Sequence, residues 1–240
     1  MHKILSFLAA LFLLSGCGGI IDRYFLPPAD DTVQEKFEAG NDAMQEKKYK
    51  QAAKYFEEIK DNYPFSPYVI EAELSLADAH YLDENFNEAA DAYKDFVDMH
   101  PRHDAVPYAL FQAGKSLRLG YRSVDRSSEP LSEAAEIFTD LAERFPDTEY
   151  GKLAKEEYAL CRENMAKREL FIADVYRSTR NYEAAFNHYR YVLETFPDVE
   201  AVREYTQKYA DKTFLYYREG ASEKEREARE GTWKNLFRWL

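Results

Sequence analysis

One short motif carries residue types that could bind a nucleotide. The segment 109–116 ends in Gly114-Lys115-Ser116 and matches a relaxed phosphate-binding loop. A working loop of this kind follows a buried strand, and its glycines free the backbone to wrap around an anion. The residues from Asp104 to Leu119 instead have helical periodicity. The sequence therefore does not predict nucleotide binding.

Metal binding and catalysis have no better support. His100 and His103 could supply two metal ligands, but no third His or Cys accompanies them at that turn. Carboxylate pairs such as Glu57-Glu58 have the spacing of a solvated helix face. A nucleophile needs a strand-turn element that exposes it, and no segment predicts one. We expect no catalytic residue, no metal and no cofactor.

Composition limits the class of protein. The chain has 240 residues, a formal net charge of −12, and 45% apolar and 15% aromatic residues. This apolar content can build a core. The acidic surface repels phosphate backbones, so nucleic acid is not an expected partner. Cys161 falls in a helical pattern and is expected to be a small buried side chain.

The first residues have the pattern of a bacterial lipoprotein signal. A basic start precedes an apolar run of 11 residues, Ile4 to Leu14, which is too short to span a bilayer. Small residues then lead to Cys17, as in a lipobox. We predict a signal peptide at 1–16, a lipid on Cys17 and a tether at 17–31. Gly18 after the cysteine favours outer-membrane retention. The alternative is ordinary secretion with a free thiol.

Four copies of one pattern follow. Each copy has an aromatic residue or Leu, an Ala, an aromatic, an apolar residue and a Pro in fixed register. The copies are Tyr49, Ala52, Phe56, Ile59 and Pro64; Phe86, Ala89, Tyr93, Phe96 and Pro101; Leu131, Ala134, Phe138, Leu141 and Pro146; and Tyr182, Ala185, Tyr189, Val192 and Pro197. Such a repeat predicts stacked supersecondary units.

This pattern resembles the tetratricopeptide repeat. It predicts an all-α fold, an α-solenoid of about five tetratricopeptide-like helix pairs at 32–218, followed by a charged helix and aromatic tail at 219–240. Small residues on the partner helices are expected to face the repeat alanines, with the aromatics filling the wedge to the next pair. These small residues are Gly40, Ala77, Gly114 and Ala173.

Irregular spacing predicts two local features, and the final segment departs from the repeat pattern. The interval from Pro101 to Pro146 is enlarged by a loop at 120–130. The interval from Pro146 to Pro197 is enlarged by a helix that begins near Tyr150 and runs without a breaker to Thr179. The final pair is predicted as two helices, at 199–218 and 222–230.

Two surfaces are candidates for binding. In tetratricopeptide geometry the first helix of each pair lines a concave groove. By repeat position, the predicted client groove contains Phe37, Asn41, Met44, Leu74, Asp78, Tyr81, Phe111, Lys115 and Arg118. The predicted partner-docking residues are Tyr63, Pro64, Phe65, Pro67, Tyr68, His188, Trp233 and Phe237. The alternative for each groove residue is packing against neighbouring helices, and for the Tyr63–Tyr68 segment a rigid turn.

The lipobox, the tether and the repeats together are similar to the BamD (ComL) family of outer-membrane β-barrel assembly lipoproteins. The string Tyr63-Pro64-Phe65-Ser66-Pro67-Tyr68, the loop 124–127 and the turn 196–198 carry the resemblance. It implies a periplasmic protein held on the outer membrane at Cys17. It also implies that the N-terminal half receives unfolded outer-membrane clients. The C-terminal half would hold a BamA-like barrel-forming subunit, with other assembly lipoproteins as further partners.

Other functions remain open. One is a different tetratricopeptide lipoprotein that scaffolds cell-wall synthesis or secretion, and another is a carrier or hydrolase with a small-molecule site. The chain end is also ambiguous. Trp233, Leu236, Phe237 and Leu240 share one helical face. That face could seal the last repeat, enter a partner's groove or lie on a membrane.

Overall fold

The computed structural model describes residues 32–230, with side chains at all of them except 221 and 225–230. In that range the chain forms nine helices and no strand, which confirms the all-α fold class. The helices are α1 Val33–Gln45, α2 Tyr49–Asn62, α3 Val69–Leu82, α4 Phe86–Met99, α5 Val106–Gly120, α6 Glu129–Arg144, α7 Glu149–Ser178, α8 Tyr182–Thr195 and α9 Glu200–Glu230.

The chain divides into two compact units, and the division falls within α3, between Ala79 and His80. In the first unit α1 packs on α2 around the buried rings of Phe37 and Phe56. In the second unit each helix from α4 to α9 packs against the next one in sequence. Packing between sequence neighbours is typical of a tetratricopeptide-type solenoid, because each pair buries its apolar stripe only by stacking.

Glycines let the helices of a pair approach closely. A Cβ atom added to Gly40 would lie 2.5 Å from Cε1 of Phe56, and one added to Gly114 would lie 2.8 Å from Cζ of Phe138. The sequence placed these aromatic rings in the wedge to the next pair. In the structure each ring packs on the glycine of its own pair and also belongs to a buried cluster with side chains of the first helix of the next pair.

The turns within three pairs share an unusual backbone conformation. Lys47, Glu84 and Arg180 have φ angles of 60°, 59° and 62°, in the left-handed region that glycine adopts most easily. They join α1 to α2, α3 to α4 and α7 to α8. The third pair is joined instead by the predicted loop, which runs from 121 to 128. Three of the four pairs therefore turn in the same way.

The two longest helices test two further predictions from the sequence. The helix α7 runs unbroken for 30 residues, as predicted. The prediction of two final helices is wrong, because α9 continues for 31 residues through Gly220. One glycine inside a helix costs only about 1 kcal/mol, and no atom lies within 4 Å of the position of its missing Cβ. No helix in the described range is long and apolar enough to cross a bilayer.

Candidate binding surfaces

The predicted groove residues of the first unit are partly in its core. Phe37 is only 8% exposed and packs between Phe56 and Tyr68, with ring centroids at 5.8 and 5.3 Å. Met44 is partly buried against the same cluster. Asn41, Leu74 and Asp78 are half-buried. Phe37 therefore packs against neighbouring helices, which was the alternative to a place in the groove.

In the second unit, three predicted groove residues come together. The Nζ atom of Lys115 lies 5.7 Å from the ring centre of Tyr81 and 5.8 Å from that of Phe111. Tyr81 is half-buried and meets Phe86 edge-on at 5.7 Å. Phe111 is 8% exposed and packs on Phe138 and Tyr150. The half-buried ammonium of Lys115 and the ring of Tyr81 are thus the accessible parts of this cluster.

Arg118 lies on the same helix as Lys115, but it is bound to α7. Its Nε atom donates to Oε2 of Glu157 at 2.5 Å, and both side chains are mostly buried. The same helix contains the candidate phosphate loop. There the hydroxyl of Ser116 is buried and donates to the carbonyl of Gln112 at 2.7 Å. The helical geometry leaves no loop to wrap a phosphate group.

The segment Tyr63–Tyr68 forms the turn between α2 and α3. The amide of Ser66 donates to the carbonyl of Tyr63 at 2.9 Å, and the amide of Val69 donates to that of Ser66 at 3.2 Å. Tyr68 points inward onto Phe37. Phe65 is 99% exposed, with Pro64 and Pro67 also exposed beside it. The turn is therefore rigid at one end and presents an aromatic ring at the other.

His100 and His103, the candidate metal ligands, pack against an aromatic ring. The rings of His100 and His103 both lie against Phe96, at 5.2 and 5.4 Å between centroids. The Nδ1 atom of His103 accepts from the amide of Ala105 at 3.1 Å. Among the residues that the structure describes, no group of three or more His, Cys, Asp or Glu side chains is placed to hold a metal ion.

His188 is held by its neighbours on α7. Its Nδ1 atom lies 2.9 Å from Oε2 of Glu169, and its ring stacks on Tyr176 at 5.4 Å. Tyr191, one turn further along α8, is largely exposed and borders the same shallow hollow. The imidazole therefore reaches solvent only in part, at the edge of a surface formed by α7 and α8.

A polar cluster that the sequence did not reveal ties α7, α8 and α9 together. Asp174 accepts hydrogen bonds from the hydroxyls of Tyr189, at 2.5 Å, and Tyr205, at 3.0 Å. Arg177 also contacts Asp174, at 3.3 Å, and its guanidinium lies 4.5 Å from the ring centre of Tyr209. Burial, and next the hydrogen bond to Asp174, raise the pKa of Tyr189 and of Tyr205.

An aromatic surface also extends across α8 and α9. Tyr182 stacks on Tyr216 with centroids 5.1 Å apart, and Phe186 lies 5.1 Å from Phe214. Phe214, Leu215 and Tyr216 keep between about a third and three fifths of their surface exposed. We call these five residues the α8–α9 aromatic surface. The sequence analysis treated this region only as a terminal cap.

Comparison with known proteins fits this architecture. A family profile described as outer membrane lipoprotein, YfiO, matches residues 29–229. The chain belongs to the YfiO family. The resemblance predicted from the sequence is thereby confirmed, and the family match includes α1 to α8 and all of α9 except its last residue.

Relatives of the chain carry one common name, outer membrane protein assembly factor BamD. The protein from Neisseria meningitidis serogroup A is 26% identical, over 85% of this chain and 81% of its own length. The protein from Vibrio cholerae is 26% identical, over 85% and 87%. The protein from Rickettsia prowazekii is 26% identical, over 87% and 84%.

Some predicted site residues of this YfiO-family chain lie outside the described residues. Cys17 precedes residue 32, and Trp233 and Phe237 follow residue 230. The family match, which covers 29–229, does not reach these three positions either. Their roles stay predictions from the sequence.

Proposed function

We propose that the chain is a non-enzymatic scaffold of outer-membrane β-barrel assembly, anchored by lipid at Cys17 on the periplasmic side of the outer membrane. The observation that carries the proposal is the shared name of its relatives, which match over most of their length and of this chain. In this role the protein acts by holding partners close together and correctly oriented, which raises their effective concentration.

The client side of the proposal rests on the predicted groove. Lys115 and Tyr81 form an accessible pair of a cation and an aromatic ring, supported from below by Phe111. Such a pair can hold a peptide by its aromatic side chains and its carboxylates. In the first unit, the half-buried side chains of Asn41, Met44, Leu74 and Asp78 are the proposed groove lining.

The partner side rests on the second unit. We assign the barrel-forming, BamA-like subunit to the surface that contains His188 and the α8–α9 aromatic surface. Exposed aromatic rings that are held in place by neighbouring rings suit a protein interface, because little side-chain freedom is lost when they are covered. Other assembly lipoproteins are further proposed partners, and the Tyr63–Tyr68 turn is a separate docking element.

Site-specific photo-cross-linking tests both assignments. A cross-linkable amino acid replaces Tyr81, Tyr216 or, as a control, the exposed Lys54 of α2. We expect Tyr81 to capture unfolded barrel clients and Tyr216 to capture the barrel-forming subunit, with neither captured from Lys54. Capture of cell-wall enzymes or secretion components at these positions would favour the other lipoprotein function.

A further inference from the structure

The turn at Tyr63–Tyr68 has a close structural counterpart after the second pair. In that turn the amide of His103 donates to the carbonyl of His100 at 3.0 Å, and the amide of Val106 donates to that of His103 at 3.0 Å. These bonds match those of Ser66 and Val69 in the first turn. At the position after the proline, however, the second turn has Arg102. The backbone of the turn therefore does not require a phenylalanine at Phe65.

The same position is charged in every later repeat. The residues that follow the repeat prolines there are Arg102, Asp147 and Asp198, and all three are exposed. Only the first repeat has an apolar residue, which is 99% exposed. Pro64, Pro67 and Ile70, which lie within five residues of it in the sequence, are exposed as well. We call Pro64, Phe65, Pro67 and Ile70 the apolar tip. An exposed apolar cluster of this kind marks a surface that another phase or partner covers.

The apolar tip lies at the end of the first unit where the chain enters the fold. The start of α1 is fixed to the end of α2 by Lys36, whose Nζ atom lies 2.9 Å from Oε2 of Glu58. Phe37, also near the start of α1, packs on Tyr68 in the turn itself. The entering chain at Thr32 and the apolar tip are therefore at the same end of the α1–α2 pair.

We propose that the apolar tip inserts into the headgroup region of the membrane that carries the lipid anchor. The proposal rests on the proposed anchor at Cys17 and names the partner of the Tyr63–Tyr68 turn. Fourteen residues, 18–31, lie between Cys17 and Thr32, and an extended chain of that length spans at most about 50 Å. The anchor thus keeps this end of the unit near the bilayer, where aromatic rings are readily accommodated.

Charge near the tip decides the kind of contact. Asp61 and Glu71 flank the turn and are exposed, and their carboxylates are repelled by anionic headgroups. The contact must therefore come from burial of apolar surface rather than from attraction between charges. Added salt screens charge interactions but does not weaken apolar burial, so the insertion should persist at high salt.

A fluorescent probe can report whether the tip enters lipid. The full lipidated chain carries Phe65→Cys, or Arg102→Cys as the matched control, labelled with an environment-sensitive nitrobenzoxadiazole dye. Cys161 does not compete for the dye, because it is buried and burial raises its pKa to about 12. The proteins are placed on vesicles of phosphatidylethanolamine and phosphatidylglycerol, and circular dichroism verifies that both variants keep their helices.

The expected result is a blue shift of the dye at position 65 and loss of most of its emission to spin-labelled lipids, at low and high salt alike. The dye at position 102 should keep its emission. Flotation with the vesicles shows whether the chain is anchored. If the chain floats but the dye at position 65 stays in water, the proposed insertion of the apolar tip is wrong and the anchor is retained. If the blue shift appears only after assembly subunits are added, the apolar tip binds a protein and not the membrane. If the chain does not float, the proposed lipid anchor is wrong, and so is the insertion of the tip that depends on it.

Discussion

At the level of single residues, two glycines determine how closely the paired helices approach. Gly40 and Gly114 each lie against an aromatic ring of the partner helix, so that a methyl group has no space there. Phe56 and Phe138 are themselves fully buried, which prevents them from swinging away. The repeat pattern predicted small residues at these positions, facing the repeat alanines, but it did not predict their close contact with the aromatic rings.

This arrangement predicts opposite effects for two alanine substitutions. Gly114→Ala should lower the free energy of unfolding by about 1–3 kcal/mol, because the buried ring of Phe138 must shift. Gly220→Ala, in the exposed middle of α9, should raise helix stability by up to about 1 kcal/mol, since nothing crowds the added methyl. Urea denaturation measures both, and an unchanged midpoint for Gly114→Ala would contradict the packing described here.

The cluster around Asp174 could not be predicted from the sequence. Its tyrosines lie 15 and 31 residues away, at Tyr189 and Tyr205. No local pattern links residues so far apart, and their meeting depends on how α8 and α9 pack on α7. The only local signal is the pair Asp174 and Arg177, three residues apart on one helix face.

The raised pKa of Tyr189 has a consequence at alkaline pH. A tyrosine whose pKa is higher in the folded state than in the unfolded state stabilises the fold below the unfolded value of 10.0. That contribution is lost as the pH rises, because the unfolded chain then ionises more readily. We expect Tyr189→Phe to cost about 1–3 kcal/mol at neutral pH and to flatten the loss of stability above about pH 10.

Urea denaturation at neutral and alkaline pH measures this effect. Tyr55→Phe, which removes the hydroxyl of a partly exposed tyrosine of α2 outside the Asp174 cluster, is the control. If Tyr189→Phe loses stability with pH as steeply as the unaltered chain, the bond to Asp174 does not have the assigned role.

At the level of helices, the sequence predicted most of the elements. The spacing of alanines and prolines predicted four pairs, and the absence of a breaker between Tyr150 and Thr179 predicted the long helix α7. The segment Glu219-Gly220-Ala221 was misinterpreted as a break in α9. A single small residue lowers helix propensity only slightly, and continued helical hydrogen bonding outweighs it.

One turn is fixed by an arginine on a different helix. Arg162 on α7 donates to both carboxylate oxygens of Asp198, at 2.7 and 2.5 Å, and to the carbonyl of Thr195 at 2.7 Å. Its guanidinium also lies 5.0 Å from the ring centre of Phe196. The hydrogen bond from Arg162 is the main cause that lowers the pKa of Asp198. This bidentate contact docks the α8–α9 turn on α7.

Removing that contact should loosen the turn without unfolding the chain. In the structure the Val199 amide donates to the carbonyl of Phe196. Because Asp198→Asn weakens the bond to Arg162, we expect this amide to exchange its hydrogen faster in the variant. Asp147→Asn is the matched control after the third-repeat proline, because Asp147 is exposed at the equivalent position while Arg162 pairs with Asp198. If the amide that follows the substituted aspartate exchanges equally fast in the two variants, the ion pair does not hold the turn.

At the level of the whole molecule, the sequence predicted the family, which the family match confirms, but not how deeply individual groove residues are buried. Lys115 and Tyr81 are half-buried, whereas Phe37 and Phe111 are largely buried in the cores of their own units. Periodicity shows which helix face a residue occupies. It does not show how deeply neighbouring helices cover that face, because coverage depends on packing between elements distant in sequence.

The most direct test of the proposed function is affinity purification of the full lipidated chain from outer membranes solubilised in mild detergent. The scaffold function predicts that a BamA-like barrel-forming subunit and other assembly lipoproteins co-purify in constant proportion. It also predicts that substituting Tyr216 and Phe214 by serine reduces recovery of the barrel-forming subunit. Recovery of peptidoglycan enzymes or secretion components in its place would contradict the proposal.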